Sequence, residues 1–208
     1  SNLSDDRMRH AKSGQWWETA PHRALANNSV SYTEKPDIET FMREWTALVE
    51  SKSGERGIFN REASKAQAAK YGRRDPDWQF GTNPCSEIIL RPYQFCNLTE
   101  VVVRVTDTIK DLERKVKLAT ILGTIQSSYT KFPYLRKVWQ RNTEEERLLG
   151  VSLTGIMDNP LMTSVNANLE KLLDDLRTVA VGINDEYASL LGIPQSAAIT
   201  CVKPSGTV

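Results

Sequence analysis

The stretch NPCSEIILRPYQFCNL, residues 83–98, joins a polar loop to apolar segments of strand-like composition. Its residues Ile88 to Leu90 are rich in β-forming side chains, as is the following segment from Val101 to Val105. We therefore predict two short strands that flank a turn. The residues from Gly81 to Glu87 precede the first strand and are predicted to form a loop.

Strand and helix patterns alternate on both sides of this stretch. Upstream, a short strand is predicted from Ser29 to Tyr32, and Asp37 is predicted to cap a helix. Downstream, a long helix is predicted to begin at Asp107 or Thr108. Apolar residues recur along it at helical spacing and are predicted to face the core: Ile109, Leu112, Val116, Ala119, Leu122 and Ile125.

The C-terminal half continues the alternation. The segment TEEERLLG predicts a short helix with acidic residues at its positive end, followed by a strand in GVSLTGIM. Another helix is predicted from about Asn168 to a cap at Gly192, and a last strand from Ala197 to Val202. This order predicts an α/β architecture with parallel strands covered by helices.

The composition excludes several classes of protein. With 39% hydrophobic residues, the 208-residue chain can bury a sizeable core, so we expect one domain or a large part of one. Its formal net charge of +1 gives no general attraction to nucleic acid or to an anionic membrane. No apolar run approaches the roughly 20 residues that span a bilayer, and the start lacks a signal peptide. We predict a cytoplasmic protein.

The cysteines indicate thiol chemistry rather than disulfide bonding. Three cysteines are an odd number, whereas a disulfide-stapled secreted domain carries more of them in pairs. Neither His10 nor His22 lies at metal-ligand spacing from a cysteine, so no metal site is predicted.

Asn83, Cys85 and Glu87 form a candidate chemical site in the polar loop. Alternate side chains of an extended backbone project to the same side, which brings a thiol, a carboxylate and an amide together. These groups supply a nucleophile, a base and a hydrogen-bonding group. The alternative is a surface loop with an isolated cysteine, because short motifs of this kind arise often.

Two further segments carry candidate groups. Cys96 follows a predicted turn that returns it towards Cys85, and two neighbouring thiols can exchange electrons as a dithiol and a disulfide. A buried structural cysteine is the alternative. The C-terminal run of Lys203, Pro204, Ser205, Gly206 and Thr207 has the ingredients of an anion-binding nest, although it also suits an ordinary turn.

Taken in order, NPCSEIILRPYQFCNL, LLGVSLTGIMD and VKPSGTV closely resemble the catalytic subunit of ribonucleotide reductase, especially the adenosylcobalamin-dependent class. RALANNSVSY and SGERGIFNREA resemble the same class, so the resemblance covers nearly the whole chain. It implies that residues 1–208 are the central part of the catalytic barrel domain. The implied fold is a ten-stranded α/β barrel with a central catalytic loop that carries Cys85 at its tip.

The resemblance also implies a role for each candidate residue. Cys85 resembles the cysteine whose thiyl radical removes the 3′ hydrogen of the substrate, and Glu87 the base that accepts the 3′-hydroxyl proton. Asn83 matches the amide that holds the substrate hydroxyls. Cys96 matches one half of the redox pair that reduces the ribose. The substrate phosphate is expected on Ser205, Gly206 and Thr207.

Adenosylcobalamin is the implied cofactor, a ribonucleoside diphosphate or triphosphate the substrate, and a thioredoxin-type or dithiol compound the reductant. No second upstream cysteine pairs with Cys96, and the chain stops within the phosphate loop. We therefore expect a fragment or split-gene product that works with one or more complementary chains.

Three alternatives stay open. The first is a reductase whose radical comes from a separate metal-containing subunit. The second is a non-catalytic nucleotide-binding or assembly module that is active only with its complement. The third is a thiol oxidoreductase that uses Cys85 and Cys96 directly, although the chain has no CxxC pattern.

Replacing Ser205 and Thr207 by alanine should weaken nucleotide binding. Each charge-assisted hydrogen bond lost from a phosphate costs about 1.5 to 3 kcal/mol, so affinity should fall by roughly tenfold or more per bond. Nucleotide affinity measured beside cobalt–carbon cleavage checks this, since cleavage should persist. Unchanged affinity would show that the segment is only a turn.

Overall fold

The predicted mixture of strands and helices is present in a computed structural model, which describes residues 5–24, 29–52, 57–163 and 167–204. The chain divides into two compact units, Ser1–Pro92 and Tyr93–Val208. In the first unit the elements are α1 (Asp6–Arg9), α2 (Trp16–Thr19), β1 (Val30–Tyr32), α3 (Ile38–Ser51), β2 (Ile58–Asn60), α4 (Arg61–Ala69), β3 (Gly81–Thr82) and β4 (Ile89–Leu90).

Two small strand pairs organise the first unit. Strand β1 pairs with β2 in parallel, whereas β3 and β4 form an antiparallel hairpin. The strand predicted near Tyr32 and the cap predicted at Asp37 are confirmed. The Asp37 carboxylate accepts hydrogen bonds from the backbone N–H and the hydroxyl of Thr40, at 2.9 Å and 2.6 Å, and these bonds lower its pKa.

The second unit contains β5 (Asn97–Val102), α5 (Ile109–Gln126), α6 (Lys137–Glu146), β6 (Leu149–Thr154), α7 (Pro160–Thr163) and α8 (Ala167–Leu191). Strands β5 and β6 are parallel, with a register that runs from Asn97 opposite Leu149 to Val102 opposite Thr154. Helices α5 and α6 form the crossover between them, which a parallel pair requires.

The last predicted strand is present as a segment that runs alongside β6 in the parallel direction. A single bridge joins Val151 to Thr200. The backbone N–H of Leu149 donates to the carbonyl of Ala198 at 2.9 Å, and that of Cys201 donates to the carbonyl of Val151 at 3.1 Å. With α8 as the second crossover, the predicted α/β order is confirmed for this unit.

The core of the second unit lies between these strands and the helices α5 and α8. Its buried side chains are mostly aliphatic, as expected for parallel strands covered by helices. They are Val101, Val103, Leu112, Val116, Leu149, Val151, Met162, Leu172, Leu176, Ala180 and Ile199.

The strand predicted from Val101 to Val105 is present as β5, but it spans Asn97–Val102 and so begins within the predicted turn. Four further sequence predictions need correction. The segment from Gly81 to Glu87 is not wholly a loop, because Gly81–Thr82 pairs with β4, and this pair is antiparallel rather than parallel. On α5, Ile109, Leu122 and Ile125 are 47%, 60% and 40% exposed instead of belonging to the core. Leu122 and Ile125 line an open apolar groove beside β5, while Gly123 and Thr124 take the buried positions.

The fourth correction concerns the helix predicted in TEEERLLG. Helix α6 begins at Lys137 and ends at Glu146, so its glutamates lie at the negative end. Hydrogen bonds offset this placement. Glu144 accepts from Gln140 at 2.8 Å and from Thr130 at 2.9 Å, which lowers its pKa, and the buried Glu146 accepts from Gln94 at 2.6 Å.

A buried asparagine connects α8 to α5 and to the final segment. The Asn184 side-chain amide donates to the hydroxyls of Thr124 and Ser196, at 2.9 Å and 3.0 Å. Its carbonyl oxygen accepts from the backbone N–H of Ser196 at 2.9 Å. The helical spacing of apolar residues along α8 did not predict this contact, because that spacing does not identify the hydrogen-bond partners of a polar residue on the buried face.

Asn184→Leu should lower the free energy of unfolding of the second unit by about 1 to 3 kcal/mol, because the Ser196 N–H would be buried without its acceptor. Urea denaturation measures this loss. Asp185→Ala is the matched control, since Asp185 is the exposed next residue of the same helix. Equal stability of the two variants would contradict a structural role for Asn184.

Candidate functional site

The three loop residues Asn83, Cys85 and Glu87 lie together in the turn of the β3–β4 hairpin. The hairpin has two registered pairs, Gly81 with Leu90 and Thr82 with Ile89. The chain reverses between Asn83 and Ile88, where the Asn83 N–H donates to the Ile88 carbonyl at 3.3 Å. These residues therefore share one loop as predicted, but the loop contains a turn closed by a Ser86 N–H bond to the Asn83 carbonyl instead of the extended backbone that was expected.

The side chain of Asn83 closes the loop. Its Oδ1 accepts a hydrogen bond from the backbone N–H of Ile88 at 3.0 Å, and the Thr82 hydroxyl lies 3.4 Å from the same oxygen. The carbonyl side of the amide is thus used inside the protein. Among the described residues the amide nitrogen has no acceptor, so it is the part of Asn83 that is available for a ligand.

Cys85 occupies the exposed tip of the loop. The Ser86 N–H donates to the Asn83 carbonyl at 3.0 Å, which makes a turn with Pro84 and Cys85 as its central residues. Ser86 has a φ of 67°, in the left-handed region that residues other than glycine seldom adopt. The Cys85 thiol is free and exposed, whereas Glu87, two residues further along the chain, is half-buried.

Cys96 lies in the second unit, directly before β5, and its side chain is half-buried. Its neighbours in sequence are firmly held. The Phe95 ring stacks on Trp139 with centroids 4.6 Å apart. The backbone N–H and the side-chain amide of Asn97 both donate to the Leu148 carbonyl, at 2.9 Å and 3.0 Å. The segment that carries Cys96 therefore has a fixed backbone.

Ser205, Gly206 and Thr207, the predicted phosphate-binding residues, lie outside the described residues. The segment that leads to them is described as far as Pro204. The Lys203 N–H donates to the Ser152 hydroxyl at 2.9 Å, so Lys203 lies beside the C-terminal half of β6. This is the end of parallel strands at which ligands bind in α/β folds.

Among the described residues there is no group of three or more metal-binding side chains. No helix in that part of the chain is long and apolar enough to cross a membrane.

Comparisons with known proteins identify relatives along most of the chain. It is 31% identical over 221 residues to the adenosylcobalamin-dependent ribonucleoside-triphosphate reductase of Lacticaseibacillus paracasei, and 29% identical over 223 residues to that of Lactobacillus leichmannii. Each match covers 90% of this chain and 28% of the relative. A crystal structure of a B-12-dependent class II ribonucleotide reductase matches 97% of this chain, with 26% identity and a TM-score of 0.73.

The resemblance to adenosylcobalamin-dependent ribonucleotide reductases is confirmed. No family model matches the chain. The chain spans 28% of the length of the curated class II relatives and 31% of the solved class II chain. In these reductases the matched region is one part of a single longer polypeptide, so the comparisons give no support to the complementary chain predicted from sequence.

Sequence reasoning assigned Asn83 to the substrate alone and missed its part in closing the loop. A signal was available, because an asparagine before a turn often accepts a backbone N–H through its side chain.

Asn83→Ala should loosen the loop, whereas Asn83→Asp should preserve it, because aspartate keeps an oxygen that can accept the Ile88 N–H. We expect the amide of Ile88 to exchange its hydrogen several-fold faster in the alanine variant only. Hydrogen-exchange NMR on the chain measures this. Equally fast exchange in both variants would show that the loop does not depend on this acceptor.

Proposed function

We propose that the chain forms part of the catalytic region of an adenosylcobalamin-dependent ribonucleotide reductase, with Cys85 as the residue that carries the thiyl radical. The observation that carries the proposal is the hairpin loop, which exposes one thiol between an amide donor and a carboxylate in a chain similar to class II reductases. In this proposal the two units belong to a ten-stranded α/β barrel, and the β3–β4 hairpin is its central loop.

The exposed Cys85 thiol fits a cofactor that must approach it, because no described side chain covers the tip of the loop. Bound adenosylcobalamin would supply a cobalt–carbon bond that breaks homolytically. We assign no cobalamin contact to this chain. The names of the relatives favour this cofactor over a separate metal-containing radical subunit.

Each loop residue then has a step that suits its chemistry. Cys85 would give its thiol hydrogen atom to the carbon radical that bound adenosylcobalamin supplies, and the resulting thiyl radical takes the 3′ hydrogen atom of a ribonucleotide. Glu87 accepts the proton of the 3′-hydroxyl, and returns a proton as the 2′-hydroxyl leaves as water. The Asn83 amide nitrogen donates to the substrate hydroxyls while its oxygen holds the loop.

Two electrons and two protons are then needed to reduce the substrate radical, and we propose that Cys96 and a second thiol supply them and become a disulfide. The 3′ radical of the deoxy product then takes back the hydrogen atom from Cys85, which restores the thiyl radical. A thioredoxin-type or dithiol reductant would restore the thiols. The substrate phosphate would bind at Ser205, Gly206 and Thr207, beyond the Lys203 segment that lies along β6.

Cys85→Ser should abolish ribonucleotide reduction and leave nucleotide affinity nearly unchanged, because a serine hydroxyl holds its hydrogen too strongly to form a comparable radical. The assay uses a polypeptide that carries this chain within the length of its relatives, with adenosylcobalamin, a ribonucleoside triphosphate and a dithiol. Cys201→Ser is the matched control, since Cys201 has no assigned step, and it should retain turnover. Retained turnover in Cys85→Ser would refute the assignment.

A further inference from the structure

The hairpin that carries Cys85 is too short to hold its own shape. It has two registered pairs, and an isolated two-stranded hairpin is marginal even when its strands are longer. Its loop also contains Ser86 in a left-handed conformation, which the surrounding contacts must maintain. Contacts from outside the two strands must therefore fix the position of the thiol.

Arginine side chains provide such contacts on both strands. The Arg61 Nε, at the start of α4, donates to the carbonyl of Phe80 at 2.8 Å, directly before β3. The Arg74 Nη1 donates to the carbonyl of Ile89 at 2.9 Å, within β4. Each bond joins a charged donor to a backbone acceptor of the hairpin, which makes it stronger than a bond between neutral groups.

Arg74 and Arg91 pack on aromatic rings at the base of the hairpin. The Arg74 guanidinium lies 4.7 Å from the centre of the Phe80 ring, so Arg74 contacts both β4 and the residue directly before β3. Phe80 is fully buried and Arg74 is 7% exposed, so this contact lies in the interior of the unit. Across the base, Arg91 lies 4.1 Å from the Trp78 ring and connects the residues that flank the two strands.

We propose that Arg74, supported by Arg61, is a positioning residue that holds the hairpin so that the Cys85 thiol stays at a fixed place. The proposal rests on the function proposed for Cys85, and it adds residues to which the sequence pattern gave no role. Hydrogen-atom transfer needs reacting atoms in close, defined contact, so a loop that moves by about 1 Å loses rate even when its cysteine is intact.

The hydrogen bonds described above join both arginines to backbone carbonyls of residues outside the loop 84–87. Replacing either arginine leaves the side chains of residues 84–87 in the sequence, so a change in loop motion would report on positioning.

The first test measures the motion of Cys85 itself. In the 208-residue chain with Cys96→Ser and Cys201→Ser, Cys85 is the only thiol and can carry a nitroxide label. We expect Arg74→Ala to raise the mobile fraction of the electron paramagnetic resonance spectrum by about twofold or more, and Arg74→Lys to raise it less. Arg43→Ala is the matched control, because Arg43 is exposed and pairs with Glu39 at 2.8 Å. It should leave the spectrum unchanged.

An unchanged spectrum in a folded Arg74→Ala variant would overturn the proposal. Circular dichroism establishes whether the variant folds. If Arg74→Ala does not fold, Arg74→Lys and Arg61→Ala decide the question, since each removes only part of the support. An unchanged spectrum in both of these variants would overturn the proposal equally.

The second test separates positioning from a general loss of structure. In a polypeptide that reduces ribonucleotides, Arg74→Ala should lower kcat by at least about tenfold while KM for the nucleotide changes less than about twofold, and Arg74→Lys should recover part of kcat. Unchanged kcat would overturn the role of Arg74. Absence of reduction in the unaltered polypeptide would count against the proposed function instead, and the label mobility would still decide whether Arg74 holds the loop.

Discussion

Parallel pairing between β5 and β6 is the interaction on which the second unit depends. Parallel strands cannot be joined by a tight turn, so the chain must cross back over the sheet before it can pair again. The crossovers are helical, and their apolar faces cover the strands. At the far end, the buried Asn159 amide donates to the carbonyls of Arg104 and Asp107, at 2.8 Å and 3.0 Å, and joins the turns that follow the two strands. The segment that reaches Lys203 therefore runs to this same end of the sheet.

Much of this arrangement was predictable from sequence because it depends on local signals. The long helix begins where predicted, with Thr108 and Asp111 forming a capping box, and α8 ends before Gly192, whose φ is 66°. The sequence predictions failed where tertiary contacts determine the burial of a residue or the length of a helix. Leu122 follows the helical period but faces a groove, because burial depends on what packs against a helix and not on its own pattern. The sequence did not predict the full length of α6, because polar residues of this helix bond to distant segments. Glu146, for example, accepts a hydrogen bond from Gln94.

The candidate functional site likewise has a part that could be predicted from the sequence and a part that could not. The grouping of Asn83, Cys85 and Glu87 follows from their spacing in one short loop, and the sequence was sufficient to find it. Their support was not predictable, because Arg61 and Arg74 lie well upstream and act on carbonyl groups, which every residue has. The sequence does not indicate which backbone carbonyl will accept a side-chain hydrogen bond. Only the fold shows that these arginines reach one hairpin, at the residue directly before β3 and within β4.

The radical-bearing role proposed for Cys85 has two requirements that oppose each other. The thiol must be open to a cofactor and a substrate, which favours an exposed loop, and it must also be held in one place, which favours a buried element. The hairpin meets the first requirement by exposing Cys85 at its tip. It meets the second below the tip, where the Asn83 oxygen takes the Ile88 N–H and charged side chains hold the strands. A longer hairpin would gain order from strand pairing alone, whereas one with two pairs makes the position of the thiol depend on arginine side chains from outside the strands.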